Sequence, residues 1–231
     1  MSRSVSIAAD PYPWPHDGRL AAESTALLII DMQKDFCASG GYVDSMGYEA
    51  QPAHALIPAI RDARAATRKW GGMVLYTREG HRSDMSDLSP FKLWRSRRAG
   101  PGIGSEGPMG RLLIRGEPGW DIVDELHPEA GEPVIDKPGY GAFHNTDLAQ
   151  ILSVRGVTHL ILTGVTTDIC VHSTLREAVD RGYECLTLSD CCAATQTANH
   201  EAALRTIATE GGIFGAVSTS ASLMLALGAL T

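Results

Sequence analysis

The run Ala26-Leu27-Leu28-Ile29-Ile30 contains no polar residue and ends on the carboxylate Asp31. A strand that is apolar at every position must be covered on both faces, the condition of a strand inside a parallel sheet rather than one with a wet side. Further short apolar segments follow at Met73–Thr77, Pro133–Asp136, His159–Thr163, Glu184–Leu188 and Ile213–Val217. Stretches of helical spacing lie between them. Pro52–Trp70 sets Leu56, Ile60 and Ala63 on one stripe, with Arg61, Arg64 and Arg68 between, and Gly71-Gly72 ends it. Asp168–Arg181 is closed by Gly182, Asn199–Thr209 by Gly211-Gly212, and Thr219–Leu227 forms a last helix. Strands that alternate with helices predict a three-layer α/β fold: helices on both faces of a six-stranded parallel sheet, in a single domain over 1–231.

Composition removes several classes. A chain of 231 residues buries a sizeable core without staples. Its 20 Lys and Arg against 27 Asp and Glu leave a net charge of −7, which gives no electrostatic reason to bind nucleic acid. No apolar run reaches the ~18 residues of a membrane span. Met1–Pro15 carries Asp10 and three prolines instead of a leader's apolar core, so a cytoplasmic protein is expected. Five cysteines, an odd number without repeated two-residue gaps, predict neither a disulfide framework nor structural zinc. The adjacent Cys191 and Cys192 read as two small thiols in a partly buried loop.

One stretch breaks the alternation. Gly80–Pro118 is rich in Arg, Gly and Pro, and loops of such length in a compact domain are usually functional. Its Lys92, Arg95, Arg97 and Arg98 read either as a substrate or subunit contact or as a solvated charged loop. Gly100-Pro101-Gly102-Ile103-Gly104 has the look of a phosphate loop, but no strand precedes it and no helical pattern follows, so a nucleotide-binding module is not expected.

Open parallel sheets bind ligands beyond the carboxyl ends of their strands. Three reactive groups stand there: Asp31 after the first strand, Lys137 after the third, and Cys170 just past the fourth. Together they have a joint purpose. The thiolate, not the thiol, is the nucleophile. Cys170 falls in the first turn of the helix beginning near Asp168, where the helix dipole favours an anion. Lys137 adds a fixed positive charge, and Asp31 can take the thiol proton and pass it to a leaving group. The tight turn Gly164–Cys170 could turn its N–H groups onto an oxyanion.

The stretches Leu28-Ile29-Ile30-Asp31-Met32-Gln33-Lys34-Asp35-Phe36, Asp136-Lys137-Pro138 and Gly164-Val165-Thr166-Thr167-Asp168-Ile169-Cys170-Val171 resemble the isochorismatase-like cysteine hydrolases. The resemblance implies a Rossmann-like strand order and a catalytic triad at Cys170, Asp31 and Lys137. It also implies a cis peptide at Val165–Thr166, with an oxyanion hole from the N–H groups of Thr166 and Cys170. Isochorismatases proper lack the nucleophilic cysteine, so Cys170 argues against their vinyl-ether chemistry. Nicotinamidases carry an Asp and several His as metal ligands after the second strand. Here Tyr76-Thr77-Arg78-Glu79-Gly80-His81 offers His81 alone, and neither a metal nor an organic cofactor is expected.

The flanks resemble the biuret hydrolases, through Ala9-Asp10-Pro11-Tyr12-Pro13-Trp14-Pro15, Gly40-Gly41-Tyr42-Val43-Asp44, Thr77-Arg78-Glu79-Gly80-His81-Arg82, Trp94-Arg95-Ser96, Arg115-Gly116-Glu117-Pro118-Gly119-Trp120-Asp121 and Asp190-Cys191-Cys192. That resemblance implies cleavage of a small linear ureide, biuret to allophanate and ammonia, through a thioester on Cys170. It also implies a homo-oligomer, a tetramer, with Gly80–Pro118 long enough to cross a subunit boundary. Phe36 is expected to wall the pocket. Where biuret hydrolases carry Gln, this chain has Glu210, which as an ionised group only accepts hydrogen bonds. In the pocket it would bind N–H groups and repel a carboxylate-bearing substrate. Triuret, ureidoacrylate and N-carbamoyl amines stay open as substrates, as does a catalytically silent interaction protein of the same fold.

Overall fold

Every residue of the first strand is buried, as its unbroken apolar run requires. A computed structural model describes residues 5–228. Residues 1–4 and 229–231 of the expected 1–231 domain, and with them the start of the Met1–Pro15 stretch, lie outside the described residues. In chain order the strands are β1 (Thr25–Ile30), β2 (Met73–Glu79), the two-residue β3 (Glu106–Gly107) and β4 (Gly110–Arg111), β5 (Val134–Lys137), β6 (His159–Val165), β7 (Glu184–Ala193) and β8 (Ala216–Ser218). β3 and β4 pair as a small antiparallel hairpin. The other six form the predicted sheet in the order β5-β2-β1-β6-β7-β8, and every pairing is parallel.

The helices are α1 (Lys34–Cys37), α2 (Tyr42–Ser45), α3 (Gln51–His54), α4 (Ile57–Trp70), α5 (Pro90–Ser96), α6 (Leu148–Val154), α7 (His172–Asp180), α8 (Thr197–Gly212) and α9 (Ser220–Gly228). Successive residues of β1 point to opposite faces. Leu27 and Ile29 join the core that takes Ile60 and Ala63 of α4 and Leu223 of α9. Ala26, Leu28 and Ile30 join the core built with Leu148 of α6, Leu175 of α7 and Ile207 of α8. The three layers follow from that alternation.

Several elements differ from the expectation. The helix expected over Pro52–Trp70 is two helices, because Pro52 and Pro58 each stand in the first turn of a new one. A proline there lacks only an N–H that would find no partner in the helix, whereas further inside it would break the ladder. β7 continues past Leu188 through Cys191 and Cys192, which lie in a strand as buried free thiols, not in a partly buried loop. Two polar residues in that strand hid its length: Ser189 Oγ donates to the Ser218 carbonyl, and Asp190 accepts from the N–H and hydroxyl of Ser220 at the start of α9. β8 begins at Ala216 because residues 213–215 complete the turn out of α8, with the Phe214 N–H donating to the Ile207 carbonyl. Lastly, Gly80–Pro118 is no bare loop. It holds α5 and the hairpin, and buries Ile103, Leu112, Leu113 and Ile114.

Candidate active site

The sheet's carboxyl ends carry Asp31, Glu79, Lys137 and, beyond β6, Cys170. Gly164 lets this end close up: at φ +107°, a side-chain Cβ there would collide with the Ile30 carbonyl oxygen. β6 therefore abuts β1 one residue short of Asp31. Asp31 itself is left-handed, at φ 52°, a conformation that Asp tolerates better than most residues. Its Oδ1 accepts from the Thr77 hydroxyl at 2.5 Å, and its Oδ2 lies 2.7 Å from Lys137 Nζ. After β6 the Val165–Thr166 peptide is cis, as the resemblance implied. The Thr166 carbonyl then accepts from the N–H groups of Ile169 and Val171, at 3.1 Å each. Cys170 sits in the π-helical turn Thr167–Val171, and α7 starts only at His172, so the regular helix expected from Asp168 is corrected to a turn followed by a helix.

Glu79 is the group the sequence reading passed over. The strand expected over Met73–Thr77 runs two residues further and buries Glu79 at its tip. The Gln33 side chain clamps the Glu79 backbone, accepting its N–H at 2.7 Å and donating to its carbonyl at 3.0 Å. Glu79 Oε1 takes Lys92 Nζ at 2.7 Å. Glu79 Oε2 lies 3.5 Å from Lys137 Nζ and accepts from the Cys170 thiol at 3.4 Å. The turn after β5 supports both ammoniums: Pro138 O accepts from Lys92 at 3.0 Å and Gly139 O from Lys137 at 2.8 Å. The signal for Glu79 was available in principle, an acid at a strand's carboxyl end, as at Asp31.

Burial disfavours the charge on each of these groups, and the contacts decide the balance. Burial raises the Asp31 carboxyl above its ordinary value, with Lys137 opposing. Burial also pushes the Cys170 thiol well up despite Lys137, and Asp31 and Glu79 add to the rise. Without substrate the sulfur is therefore a thiol, not the standing thiolate that a helix dipole alone would suggest. Burial opposes the charge of Lys137, yet Asp31, Cys170 and Glu79 around it hold its pKa above the usual lysine value. Against its own burial, Glu79 is held below the usual carboxylate range by Lys137 and Lys92.

A cavity of about 320 Å³ opens above this cluster. Glu79, Thr166 and Cys170 line it together with Phe36, Tyr42 and Tyr140. Phe36 meets Tyr42 edge-on, with ring centroids 6.5 Å apart. Of the basic residues in the long segment, Lys92 and Arg95 of α5 line the cavity, whereas Arg97 and Arg98 do not. Arg95 Nη2 donates to the Tyr140 hydroxyl at 2.9 Å, and Arg95 also hydrogen-bonds Tyr42. The would-be phosphate loop contributes only Ile103, whose N–H donates to Ser96 Oγ.

Glu210 is elsewhere. It lies at the kinked end of α8, left-handed at φ 52°, exposed, and on the approach to the amino end of β8. The catalytic end of the sheet is the opposite one, so within the chain Glu210 does not line the cavity, and the expectation that it contacts substrate there is corrected. Hydrophobic spacing around it carried no sign of the kink. His81 is buried beneath the surface and its Nδ1 lies 3.3 Å from Asp87 Oδ1, outside the cavity. Among the described residues, Asp31, Glu79 and Cys170 have donor atoms within 4.8 Å of one another, close enough to share a metal ion. Lys137 Nζ already touches both carboxylates and Lys92 one of them. A cation added there would face two ammonium charges, so the set does not fit a metal.

Residues 25–222 match the Isochorismatase domain family. A ureidoacrylate amidohydrolase RutB from Methylorubrum extorquens is 35% identical over 230 residues, covering 97% of this chain and 89% of that protein. Among solved structures, a cysteine hydrolase from Pseudomonas syringae pv. phaseolicola superposes with a TM-score of 0.79 at 27% identity, covering 100% of both chains. The N-carbamoylsarcosine amidase of Thermoplasma acidophilum gives a TM-score of 0.66 at 25% identity, over 85% of this chain and 96% of that one. Fold and strand-end site thus define an isochorismatase-like hydrolase. The chain belongs to the isochorismatase family.

Proposed function

We propose that the chain is a cysteine amidohydrolase that opens a small linear ureide at an amide C–N bond, with Cys170 as nucleophile, Asp31 as proton shuttle and Lys137 as the charge that orients Asp31. The observation that carries the reading is the convergence of Asp31 and Lys137 on Cys170, which itself lines the cavity while the other two lie buried beneath it. Asp31, its pKa raised by burial, takes the thiol proton as Cys170 Sγ attacks the carbonyl carbon. Lys137 stays protonated and offsets the negative charge then carried on sulfur. The N–H groups of Thr166 and Cys170 are assigned to the carbonyl oxygen as negative charge builds on it. Asp31 returns the proton to the leaving nitrogen, which departs as ammonia or an amine, and a thioester remains on Cys170. Water deprotonated by Asp31 then hydrolyses the thioester and regenerates the thiol. Phe36 serves as a wall of the cavity.

Biuret, giving allophanate and ammonia, is the first substrate reading. The charge cluster at and beneath the cavity supports it, because two carboxylates, Asp31 and Glu79, are matched by two ammoniums, Lys137 and Lys92, and a neutral polar molecule disturbs that balance least. Ureidoacrylate is the second, carried over from the name of the RutB relatives. Arg95 at the cavity wall favours it as a partner for a carboxylate tail. The sequence-based objection to a charged substrate falls away with Glu210 outside the cavity. Ammonia release from biuret, triuret and ureidoacrylate, with the mass of the adduct trapped on Cys170, tests the reading. Turnover of none of them overturns it and would favour the silent interaction protein, whereas a rate that survives Cys170→Ser overturns the assignment of Cys170 as nucleophile.

Two further expectations belong to the same reading. The enzyme works in a reducing compartment, the cytoplasm, since its cysteines are buried as free thiols. It assembles as a homo-oligomer, a tetramer, and the stacked aromatics Phe91 and Trp94, exposed on α5 at 70% and 56%, suit such a contact. Light scattering should give a mass near four times the 24.7 kDa chain, and a monomer mass would refute it.

A further inference from the structure

The mechanism above leaves one buried, charged group of the cavity without a task. Glu79 is aimed by four separate segments: Gln33 fixes its backbone, Lys92 occupies Oε1, and Lys137 and the Cys170 thiol adjoin Oε2. Two ammoniums keep it a carboxylate, and a carboxylate can only accept hydrogen bonds. A pure acceptor 3.4 Å from the nucleophilic sulfur, on the cavity wall, requires donors from whatever carbonyl group the sulfur attacks.

We propose that Glu79 Oε2 recognises the N–H edge of the scissile carbamoyl group and so selects amide and ureide nitrogen over ester oxygen. This rests on the ureide reading and names the feature of the substrate that the site reads. A reacting carbonyl carbon sits roughly 3–3.5 Å from the attacking atom. Its –NH2 group, one bond further on, then falls within hydrogen-bond reach of a carboxylate oxygen that is itself 3.4 Å from that atom. An ester would set an oxygen lone pair against Glu79, with no donor to satisfy it, and sites built around a buried polar contact reject substrates lacking the partner group. Lys92 is the positioning residue, holding Oε1 so that Oε2 keeps its direction. No covalent step runs through Glu79.

Binding to a chain that cannot react tests this directly. Calorimetry of biuret with Cys170→Ala, and with Cys170→Ala/Glu79→Gln, should show at least a tenfold weaker dissociation constant for the second, because Gln turns a charged acceptor into a neutral one that also donates. In the active chain, Glu79→Gln should lower kcat/KM for the ureide at least tenfold. Methyl methanethiosulfonate has no N–H to present, so its modification of Cys170 should not slow with ureide turnover; with the Glu79 charge gone from beside the thiol, it should run as fast as in wild type or faster. Equal binding by the two inactive chains would overturn the proposal. A thiol-modification rate that falls as far as ureide turnover would also overturn it, by showing that Glu79 acts on the sulfur. A wild-type chain that binds biuret without hydrolysing it would count against the ureide reaction while leaving Glu79 to be judged on binding.

Discussion

Lys137 Nζ lies 2.7 Å from Asp31 Oδ2, and neither side chain exposes any surface. Removing one partner of such a pair leaves an uncompensated buried charge, which typically costs about 3–5 kcal/mol. Lys137→Met is expected to lose about that much stability in urea denaturation, together with all turnover. The double variant Asp31→Asn/Lys137→Met should recover part of the stability and none of the activity. A single variant as stable as wild type would show that the pair does not hold the site together.

Cys170→Ser should fold normally, since the change is nearly isosteric in a buried turn. Turnover should fall to background, because a hydroxyl does not yield the anion that a thiol yields to a carboxylate base. Circular dichroism with an ammonia assay separates the two effects. A well-folded Ser variant retaining a substantial rate would exclude the thioester.

Gly164 is a position where a single methyl group should matter. Its left-handed φ and its contact with the Ile30 carbonyl leave no room for Cβ. Gly164→Ala should therefore shift β6 away from β1 next to Asp31, reducing activity at least tenfold and stability by about 1–3 kcal/mol, the usual range for overpacking. Gly156, also at positive φ but with nothing within 4 Å of an added Cβ, is the control: an Ala there meets only the backbone strain.

Asp35 gives the stability a pH dependence of unusual sign. Its Oδ2 accepts from the Leu113 N–H at 2.9 Å, and burial pushes its carboxyl up to about 6 from an ordinary 3.8. The folded chain thus holds a proton that the unfolded chain has lost between those values. Stability falls as pH rises through that window, and at about 1.4 kcal/mol per pKa unit the fall is about 3 kcal/mol. Asp35→Asn cannot titrate, so the stability of wild type relative to the variant should drop by that amount from about pH 4 to pH 7. A difference constant with pH would show that the native Asp35 is not perturbed.

Patterns local to the chain are what the sequence by itself determined. Unbroken apolar runs predicted the parallel sheet, and that sheet put Asp31, Lys137 and the turn holding Cys170 at one end, because residues at strand ends share an end in any parallel arrangement. What only the tertiary structure decided is which charged side chains enter the buried cluster. Glu79 and Lys92 are 13 residues apart, Glu79 and Cys170 91, and hydropathy reads each of the charged pair as a solvated residue. A charge is buried only where several segments bring opposite charge and hydrogen bonds to it together, so no local window reveals it. The placement of Glu210 was decided the same way: composition offered a carboxylate, but the kink at Thr209–Gly211 and the direction of β8 set it at the far end of the sheet. The sequence specified the reactive atoms, and the meeting of distant segments specified their environment.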